Sequence, residues 1–466
     1  MDRYDLIVIG GGPGGYNTAV RASQLGLKVA CVDRSPKIGG SGVNTGCLPS
    51  RILLQTSEIY AAARAGDYAA MGVEGMASLR LDRMMSYKTA IVDAMSDSVH
   101  AHLIRHAITL LRGHARLAGG RRVNVGRPDG TQSILAADHI VIATGSDPVA
   151  FPSADFDHSH ILDFADALSL DRVPGHLAVI GAGATGIEIA SIWQRLGARV
   201  TVVERCERIC PWLDEEVALT LERALQRQGM QMELSTEAVG IERRGAGVRL
   251  RLQAPHGGSA RTVDAEMVLV AIGCRPALTG LDLPNVGLQI GADGRLASDR
   301  LATQAAGIWL VGDVTGGQML AHRAEEEAIA CAEQIAGLPG FVDYSAMPSA
   351  LFTNPEVAMI GRTEAELRAA GIAYKVGRAP FHANPRAQIR QQTDGFLKLL
   401  VDERTHLITG AHLIGPGAAE LISEVAVAME ASMISEDLAR ISYAHPTLSE
   451  ALRQAAMAAG GWRMQD

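Results

Sequence analysis

The chain is predicted to be of the α/β class, built on two parallel-sheet units of one plan with a smaller α+β domain at its C-terminal end. Three observations predict this. Leu6-Ile7-Val8-Ile9 and Leu177-Ala178-Val179-Ile180 are continuous apolar runs, each followed by a glycine-rich turn and a helical pattern. The two copies align without a gap under a shift of 171 residues, which carries Gly10 onto Gly181, Gly26 onto Gly197 and Asp33 onto Glu204. From Met347 the composition changes to short strands around Asn354-Pro355-Glu356 and Gly361, then an apolar-faced helix over about 418–433.

An apolar run without alternation is the pattern of a parallel strand buried on both faces. Gly10-Gly11-Gly12-Pro13-Gly14-Gly15 contains G-x-G-x-x-G at Gly10, Gly12 and Gly15, with a helix to Gly26 and a second strand over 28–33 ending at Asp33. The first glycine makes the turn, the second admits a pyrophosphate, and the third lets helix and strand pack closely. The terminal acid takes ribose hydroxyls. A ligand-free glycine turn is the bland alternative, and the strand before, helix after and acid beyond count against it. Gly181, Gly183 and Gly186, with Glu204, repeat the pattern. Two dinucleotide sites in one chain suggest a hydride relay between cofactors. A carboxylate at Glu204 pairs with ribose hydroxyls and repels a 2′-phosphate, so NAD(H) is expected over NADP(H).

Just after the first unit lies Gly39-Gly-Ser-Gly-Val-Asn-Thr-Gly-Cys-Leu-Pro-Ser50. Its glycines let backbone pass close to a flat ligand. Cys47 stands at the start of a helical pattern, where the helix dipole favours the thiolate. It reads as the redox sulfur of a flavoenzyme. Residues 51–110 read as helix with a break near 66–75, and 111–141 as short strands and turns. Ala143-Thr144-Gly145 and Gly273 follow strands as small-residue turns. A buried strand over 307–313 ends in Gly312-Asp313. Asp313 can bind a ribityl or ribose hydroxyl; its bland alternative is to cap a helix starting near Gln318.

The totals bound the class. A length of 466 residues suits about three domains. Hydrophobic content of 47 % with 20 % charged residues is that of a soluble globular protein. A net charge of −8 argues against nucleic acid, and 4 % aromatics against base-stacking platforms. No apolar stretch approaches membrane-spanning length, and the N-terminus shows no secretory leader. The six cysteines, Cys31, Cys47, Cys206, Cys210, Cys274 and Cys331, are too scattered for a secreted disulfide scaffold. The expected location is cytoplasmic, with no metal site.

Taken together, these pieces resemble the flavoprotein disulfide reductases (class I pyridine nucleotide-disulfide oxidoreductases), within them the dihydrolipoamide dehydrogenase type. The resemblance rests on both fingerprints in order, the 143–145 turn, Gly312-Asp313 with Met319-Leu320-Ala321-His322, and the terminal His445-Pro446-Thr447-Leu448-Ser449-Glu450. It covers essentially the whole chain. It implies two Rossmann-like dinucleotide-binding domains, a central domain and a C-terminal α+β dimerisation domain, with limits 1–148 (FAD), 149–276 (NAD), 277–346 (central) and 347–466. It implies FAD held by Gly10, Gly12, Gly15, Asp33, Arg51, Ala115, Thr144, Gly145, Asp313, Met319, Leu320, Ala321 and His322. NAD would be held by Gly181, Gly183, Gly186, Glu188, Glu204 and Gly273. It implies a homodimer in which His445 is the acid–base for thiols and Glu450 its orienting carboxylate, completing the partner's active site. Alone, His445 would read as a loop or cap histidine and Glu450 as a helix-surface acid.

The sequence departs from that pattern at one decisive place. Family members with a redox disulfide have a second cysteine five residues before the one matching Cys47, and Gly42 stands there. Thiol–disulfide exchange needs one sulfur to be attacked and another to resolve the mixed disulfide. Arg51 replaces the usual lysine, which in the family pairs with the acid matching Glu188; guanidinium is planar and broader. Tyr443 stands where a further histidine is common. Three functions follow as alternatives. The first is an NADH- and FAD-dependent oxidoreductase with an altered acceptor or thiol substrate. The second is an ordinary dihydrolipoyl dehydrogenase of a 2-oxoacid dehydrogenase complex carrying an inactivating change. The third is a non-catalytic flavin-binding subunit docking on a lipoyl partner.

Overall fold

The computed structural model describes residues 2–66, 68–75, 77–255, 257–258, 260–462 and 464. The chain divides into two compact units. The first comprises residues 1–53, 80–149 and 273–342, and the second residues 54–79, 150–272 and 343–466.

In the first unit five strands run parallel in the order Thr109–Arg112, Val29–Asp33, Asp2–Ile9, Gln132–Ile142 and Ile308–Leu310. Leu6 and Val8 pack on one face with Ala19, Ala22, Cys31 and Cys331. Ile7 and Ile9 pack on the other with Ile140, Ile142 and Leu310. Both faces being covered explains why the strand sequence does not alternate. The chain builds outward from Asp2–Ile9 to one side, then returns to build the other side. Strand order therefore reverses between Asp2–Ile9 and Gln132–Ile142, and a crevice for ligand opens at their carboxyl ends.

The second unit repeats this in the order Gln231–Glu233, Arg199–Val203, His176–Ile180, Met267–Val270 and Ile161–Leu162, again all parallel. Its reversal falls between His176–Ile180 and Met267–Val270. A three-stranded antiparallel sheet, residues 237–265, stands beside it. The C-terminal part is a five-stranded antiparallel sheet in the order Ser349–Leu351, Val357–Gly361, Ile408–Ile414, Phe396–Asp402 and Tyr374–Pro380. Helices Ala418–Glu430, Ser435–Arg440 and Glu450–Ala459 bury their apolar faces with it.

Lys398, in the middle of that sheet, is 2 % exposed. Its ammonium meets Asp214 at 2.6 Å, Glu364 at 2.8 Å and Glu216 at 3.3 Å. Burial by itself lowers its pKa, but hydrogen bonds to Asp214 and Glu364 outweigh burial and hold the pKa above the ordinary lysine value. A raised lysine pKa stabilises the fold below the unfolded value, near 10.4, and that contribution is lost as pH rises through the folded value. Lys398→Met takes the buried cation from Asp214, while Glu216 keeps Arg378 and Glu364 keeps Arg368, and a loss of about 3–5 kcal/mol is expected. Equilibrium urea unfolding measures it; a loss below about 1 kcal/mol would show the cluster to be dispensable.

Candidate active site

The first dinucleotide cradle lies at the strand-order reversal. Gly10 has φ +108°, and a Cβ there would lie 2.2 Å from the Ala143 carbonyl oxygen. A Cβ on Gly15 would lie 1.8 Å from the Gly10 carbonyl oxygen. Both positions therefore demand glycine. Gly12 differs: only Gly40 Cα lies near, at 3.7 Å, so its bare edge faces the space a ligand would use. The helix Pro13–Gln24 begins at Gly12 with no side-chain cap, leaving its first N–H groups for an anion. The Asp33 carboxylate accepts from Gly11 N–H at 2.5 Å and Ser35 N–H at 2.6 Å.

The second cradle reproduces the first in its glycine turn and its terminal acid. Gly181, φ +101°, faces the Ala271 carbonyl as Gly10 faces Ala143. A Cβ on Gly186 would lie 2.0 Å from the Gly181 carbonyl oxygen. Glu204 accepts from Ala182 N–H and Cys206 N–H, each at 2.8 Å. Under the 171-residue shift these are the bonds Asp33 makes. The helix Ala184–Leu196 is likewise uncapped at Gly183. Glu188, inside that helix, is 4 % exposed and accepts from Phe352 N–H at 2.9 Å. Gly273, φ +120°, has open space beside it.

The cradle residues fit the cofactors implied. In the first unit Thr144 Oγ1 and Asn17 Nδ2 are buried without a hydrogen-bond partner, and buried polar atoms of that kind call for one. Asp313 accepts from Ser146 Oγ at 2.7 Å. Burial pushes its pKa up, against the opposing pull of Ser146 and Arg323, so a hydroxyl donor at this carboxyl is favourable. The capping alternative for Asp313 is corrected: the helix begins at Ala321, not near Gln318, and its N-cap is Leu320 with no side-chain bond. Asp313 lies instead in a 3₁₀ turn, Gly312–Thr315. Glu327 holds that turn, accepting from Gly312 N–H at 2.7 Å and pairing with Arg323 at 2.8 Å. Met319, Leu320, Ala321 and His322 enter the same uncapped helix N-terminus. Ala115 lies within the strand His114–Leu117, paired with Val125.

Cys47 is exposed and is the first residue of the helix Cys47–Ala65. The turn before it is closed by Gly46 N–H donating to the Ser41 carbonyl at 2.7 Å. Ser50 Oγ donates to the Cys47 carbonyl, and Arg51 to Ser50 Oγ at 2.8 Å. Gly42 lies in the short helix Gly40–Asn44. None of the six cysteines is in a disulfide. Cys31 and Cys331 are buried in the first unit's core, where burial, with Asp33 or Glu327 adding, pushes their thiols up. Cys210 is buried too, with its thiol raised by burial and then by Glu188 and Glu204. Cys206 is partly exposed.

In the second unit His445 Nδ1 lies 3.0 Å from Glu450 Oε1. Glu450 Oε2 accepts from Thr447 N–H at 2.9 Å. Partial burial opposes its ionisation, but His445 and Thr447 outweigh it, and the carboxyl is held below its ordinary range. An ionised Glu450 accepts from Nδ1–H, which leaves Nε2, on a 68 % exposed side chain, as the outward-facing ring nitrogen. Sequence reasoning missed Ser146, Arg323 and Glu327. Only the i,i+4 spacing of Arg323 and Glu327 was readable; Ser146 is 167 residues from Asp313. His158, Asp163 and Asp166 cluster within 4.8 Å, but Asp163 caps the helix Phe164–Ala167 and Asp166 accepts from Asp163 N–H.

Two dinucleotide cradles, a thiol at a helix start and a carboxylate-held histidine define an oxidoreductase working through two nucleotide cofactors. The chain belongs to the pyridine nucleotide-disulphide oxidoreductases: that family matches residues 4–328, and its dimerisation domain matches residues 347–456. It is an NAD(H)- and FAD-dependent enzyme of that family, of the dihydrolipoyl dehydrogenase type. It is 50 % identical over 466 residues to dihydrolipoyl dehydrogenase 3 of Pseudomonas aeruginosa, covering 100 % of both chains. It is 39 % identical to leghemoglobin reductase of Glycine max, covering 98 % of this chain and 88 % of that one. The crystal structure of LpdA from Mycobacterium tuberculosis superposes with TM-score 0.90 at 29 % identity, covering 98 % and 99 %. The flavoprotein disulfide reductase RclA from Escherichia coli, as a Cu(II) complex, superposes at 0.87 and 26 % identity, covering 98 % and 100 %. No helix among the described residues is long and apolar enough to cross a membrane.

Proposed function

We propose that this enzyme passes electrons from NADH through FAD to an acceptor other than free dihydrolipoamide–lipoamide exchange, with Cys47 as its lone active-site sulfur. The reading rests on Gly42, which supplies no second thiol five residues before Cys47. The chemistry supplied by the two bound cofactors is hydride transfer and storage of an electron pair. Asp33 and Glu204 accept ribose hydroxyls, and the uncapped helix starts at Gly12 and Gly183 receive the pyrophosphates. Gly145, Asp313 and residues 319–322 complete the FAD wall, with Arg51, Ala115 and Thr144; Glu188 and Gly273 complete the NAD wall.

Cys47 would give the electron pair an exit. A peroxide would oxidise its thiolate to a sulfenic acid with release of hydroxide or alkoxide, or a disulfide would form a mixed disulfide with release of one thiolate. The electron pair from NADH would return Cys47 to the thiolate. A quinone, dye or oxygen taking electrons directly is the parallel exit. His445, held by Glu450, moves the proton at Nε2, and in a homodimer it serves the partner's site. The relatives carry names that include dihydrolipoyl dehydrogenase, leghemoglobin reductase and flavoprotein disulfide reductase, so one frame serves several acceptors. The four-domain division given above is proposed with this reading, as is a cytoplasmic setting. A second reading, dihydrolipoyl dehydrogenase proper carrying an inactivating glycine, is favoured by the 50 % identity to such an enzyme.

Anaerobic stopped-flow titration with NADH tests the proposal. Uptake of about two electrons per FAD is expected, because no disulfide shares the load. A screen of disulfides, peroxides and quinones then finds the oxidant. Uptake of about four, with robust lipoamide turnover, would refute it. In the same experiment NADPH is expected to reduce the flavin at least about tenfold less efficiently, since Glu204 repels a 2′-phosphate.

A further inference from the structure

The two cradles match closely until the loop that follows the terminal acid, and there they part. Gly39 N–H donates to the Gly11 carbonyl at 2.9 Å, and its counterpart Cys210 N–H donates to the Ala182 carbonyl at 3.0 Å. Beyond that shared bond the first cradle continues as Gly40, whose Cα lies 3.7 Å from where a Cβ of Gly12 would be. The second continues as Pro211-Trp212. The Trp212 indole there takes the place of bare glycine: its ring carbons Cη2 and Cζ3 lie 3.8 and 3.9 Å from where a Cβ of Gly183 would be.

That indole is 40 % exposed, among the larger apolar side chains left open to solvent. Pro211 beside it is exposed too, but the apolar residues that anchor the loop are not. Ile209 and Cys210 are 0 % exposed and Leu213 is 2 % exposed. Leu213 N–H donates to the Cys210 carbonyl at 2.9 Å, and Arg208 donates to the Pro211 carbonyl at 3.2 Å. Asp214, which caps the next helix, is clamped by Lys398. The loop is therefore fixed at both ends, and one large ring is held out over the glycine whose missing side chain admits the pyrophosphate. Tryptophan is enriched at binding interfaces, where its apolar ring packs and its N–H stays wet.

We propose that Trp212 is a binding residue for the nicotinamide dinucleotide, its indole packing against the pyrophosphate and adjoining ribose at Gly183 and closing the second cradle. The inference rests on the assignment of NAD(H) to the Gly181–Glu204 cradle. It makes this wall of the site an apolar surface where the FAD cradle has only backbone. Trp212 is a positioning and affinity residue, with no part in proton or electron transfer.

Isothermal titration of the oxidised, FAD-loaded dimer with NAD⁺ tests it without turnover. Trp212→Ala is expected to bind NAD⁺ about tenfold more weakly than wild type, and Trp212→Phe within about threefold of it. In parallel, NAD⁺ is expected to quench a component of the wild-type tryptophan emission that is missing from Trp212→Phe. NADH titrations should show a raised KM with kcat little changed, the signature of lost uniform binding. Equal or tighter NAD⁺ binding by Trp212→Ala would overturn the proposal, since the ring would then be idle or obstructive. Wild type that binds no NAD⁺ would overturn both this inference and the cradle assignment, whereas binding indifferent to Trp212 overturns this inference alone. Flavin content and elution volume of each variant report folding, and the Phe variant keeps the test decisive if Ala fails to fold.

Discussion

Gly42→Cys is expected to convert the enzyme from one that takes up about two electrons per FAD to one that takes up about four, and to raise lipoamide-linked turnover at least about a hundredfold. The backbone permits the change. Gly42 is not among the positive-φ glycines, so a side chain there brings no backbone strain. A Cβ would meet Pro13 Cγ at 3.1 Å and Cδ at 3.6 Å, a tight seat that a small shift of the proline ring relieves. The turn that separates residue 42 from Cys47 is already closed by the Gly46-to-Ser41 bond. On the proposed reading, what the variant restores is a second sulfur, so that one can be attacked and the other can resolve the mixed disulfide. Anaerobic titration with NADH and a lipoamide assay read the two outcomes. If the variant forms a disulfide yet lipoamide turnover stays at the wild-type level, the altered acceptor is set by the channel and not by the missing thiol. Tyr443, whose pKa burial pushes up to about 12, would then be the first residue to examine.

His445→Ala is expected to slow reoxidation of the NADH-reduced enzyme by a thiol-reactive acceptor about 10²–10⁴-fold, while leaving flavin reduction by NADH within about twofold of wild type. The split follows from the placement of the group. Hydride transfer between the nucleotides needs no thiol proton, whereas attack on a sulfur acceptor does. Glu450→Gln is expected to act in the same direction with a smaller loss, because an amide accepts weakly and cannot stabilise an imidazolium. Its effect is also expected to depend on pH. In wild type the lowered pKa of Glu450 keeps the carboxylate charged as pH falls, so the orienting bond is lost only on the acidic side of its folded pKa. Rapid-reaction measurement of each half-reaction separates the cases. Equal slowing of both halves by His445→Ala would remove the histidine from the acceptor chemistry. Rates unchanged in both would turn attention to quinones or oxygen, which need no thiol base.

Much of this was legible in the residues because it is local. The repeat at a shift of 171 predicted both cradles, and the strands Asp2–Ile9 and His176–Ile180, the turns and the terminal acids all fall where it placed them. Helices Cys47–Ala65 and Leu81–Arg105 were likewise readable, although the second begins only at Leu81, later than a break near 66–75 implies. The helix near 318 was begun three residues early. Gly316 and Gly317 have positive φ, and the chain enters the helix only at Ala321. That displacement took Asp313 out of the capping role and gave it to Ser146.

The sequence by itself determined that one strand–turn–helix plan is repeated, that Gly42 stands five residues before Cys47, and that His445 is followed five residues later by Glu450. Each of these is a matter of neighbours along the chain, set by backbone geometry and the short reach of a turn. Only the tertiary structure decided which distant residues complete the polar contacts. Ser146 reaches Asp313 across 167 positions, and Lys398 reaches Asp214 across 184. The indole of Trp212 comes to lie over Gly183 for the same reason. Buried charges and hydroxyls must find partners wherever packing brings them, and no spacing rule encodes which strands the fold will set side by side.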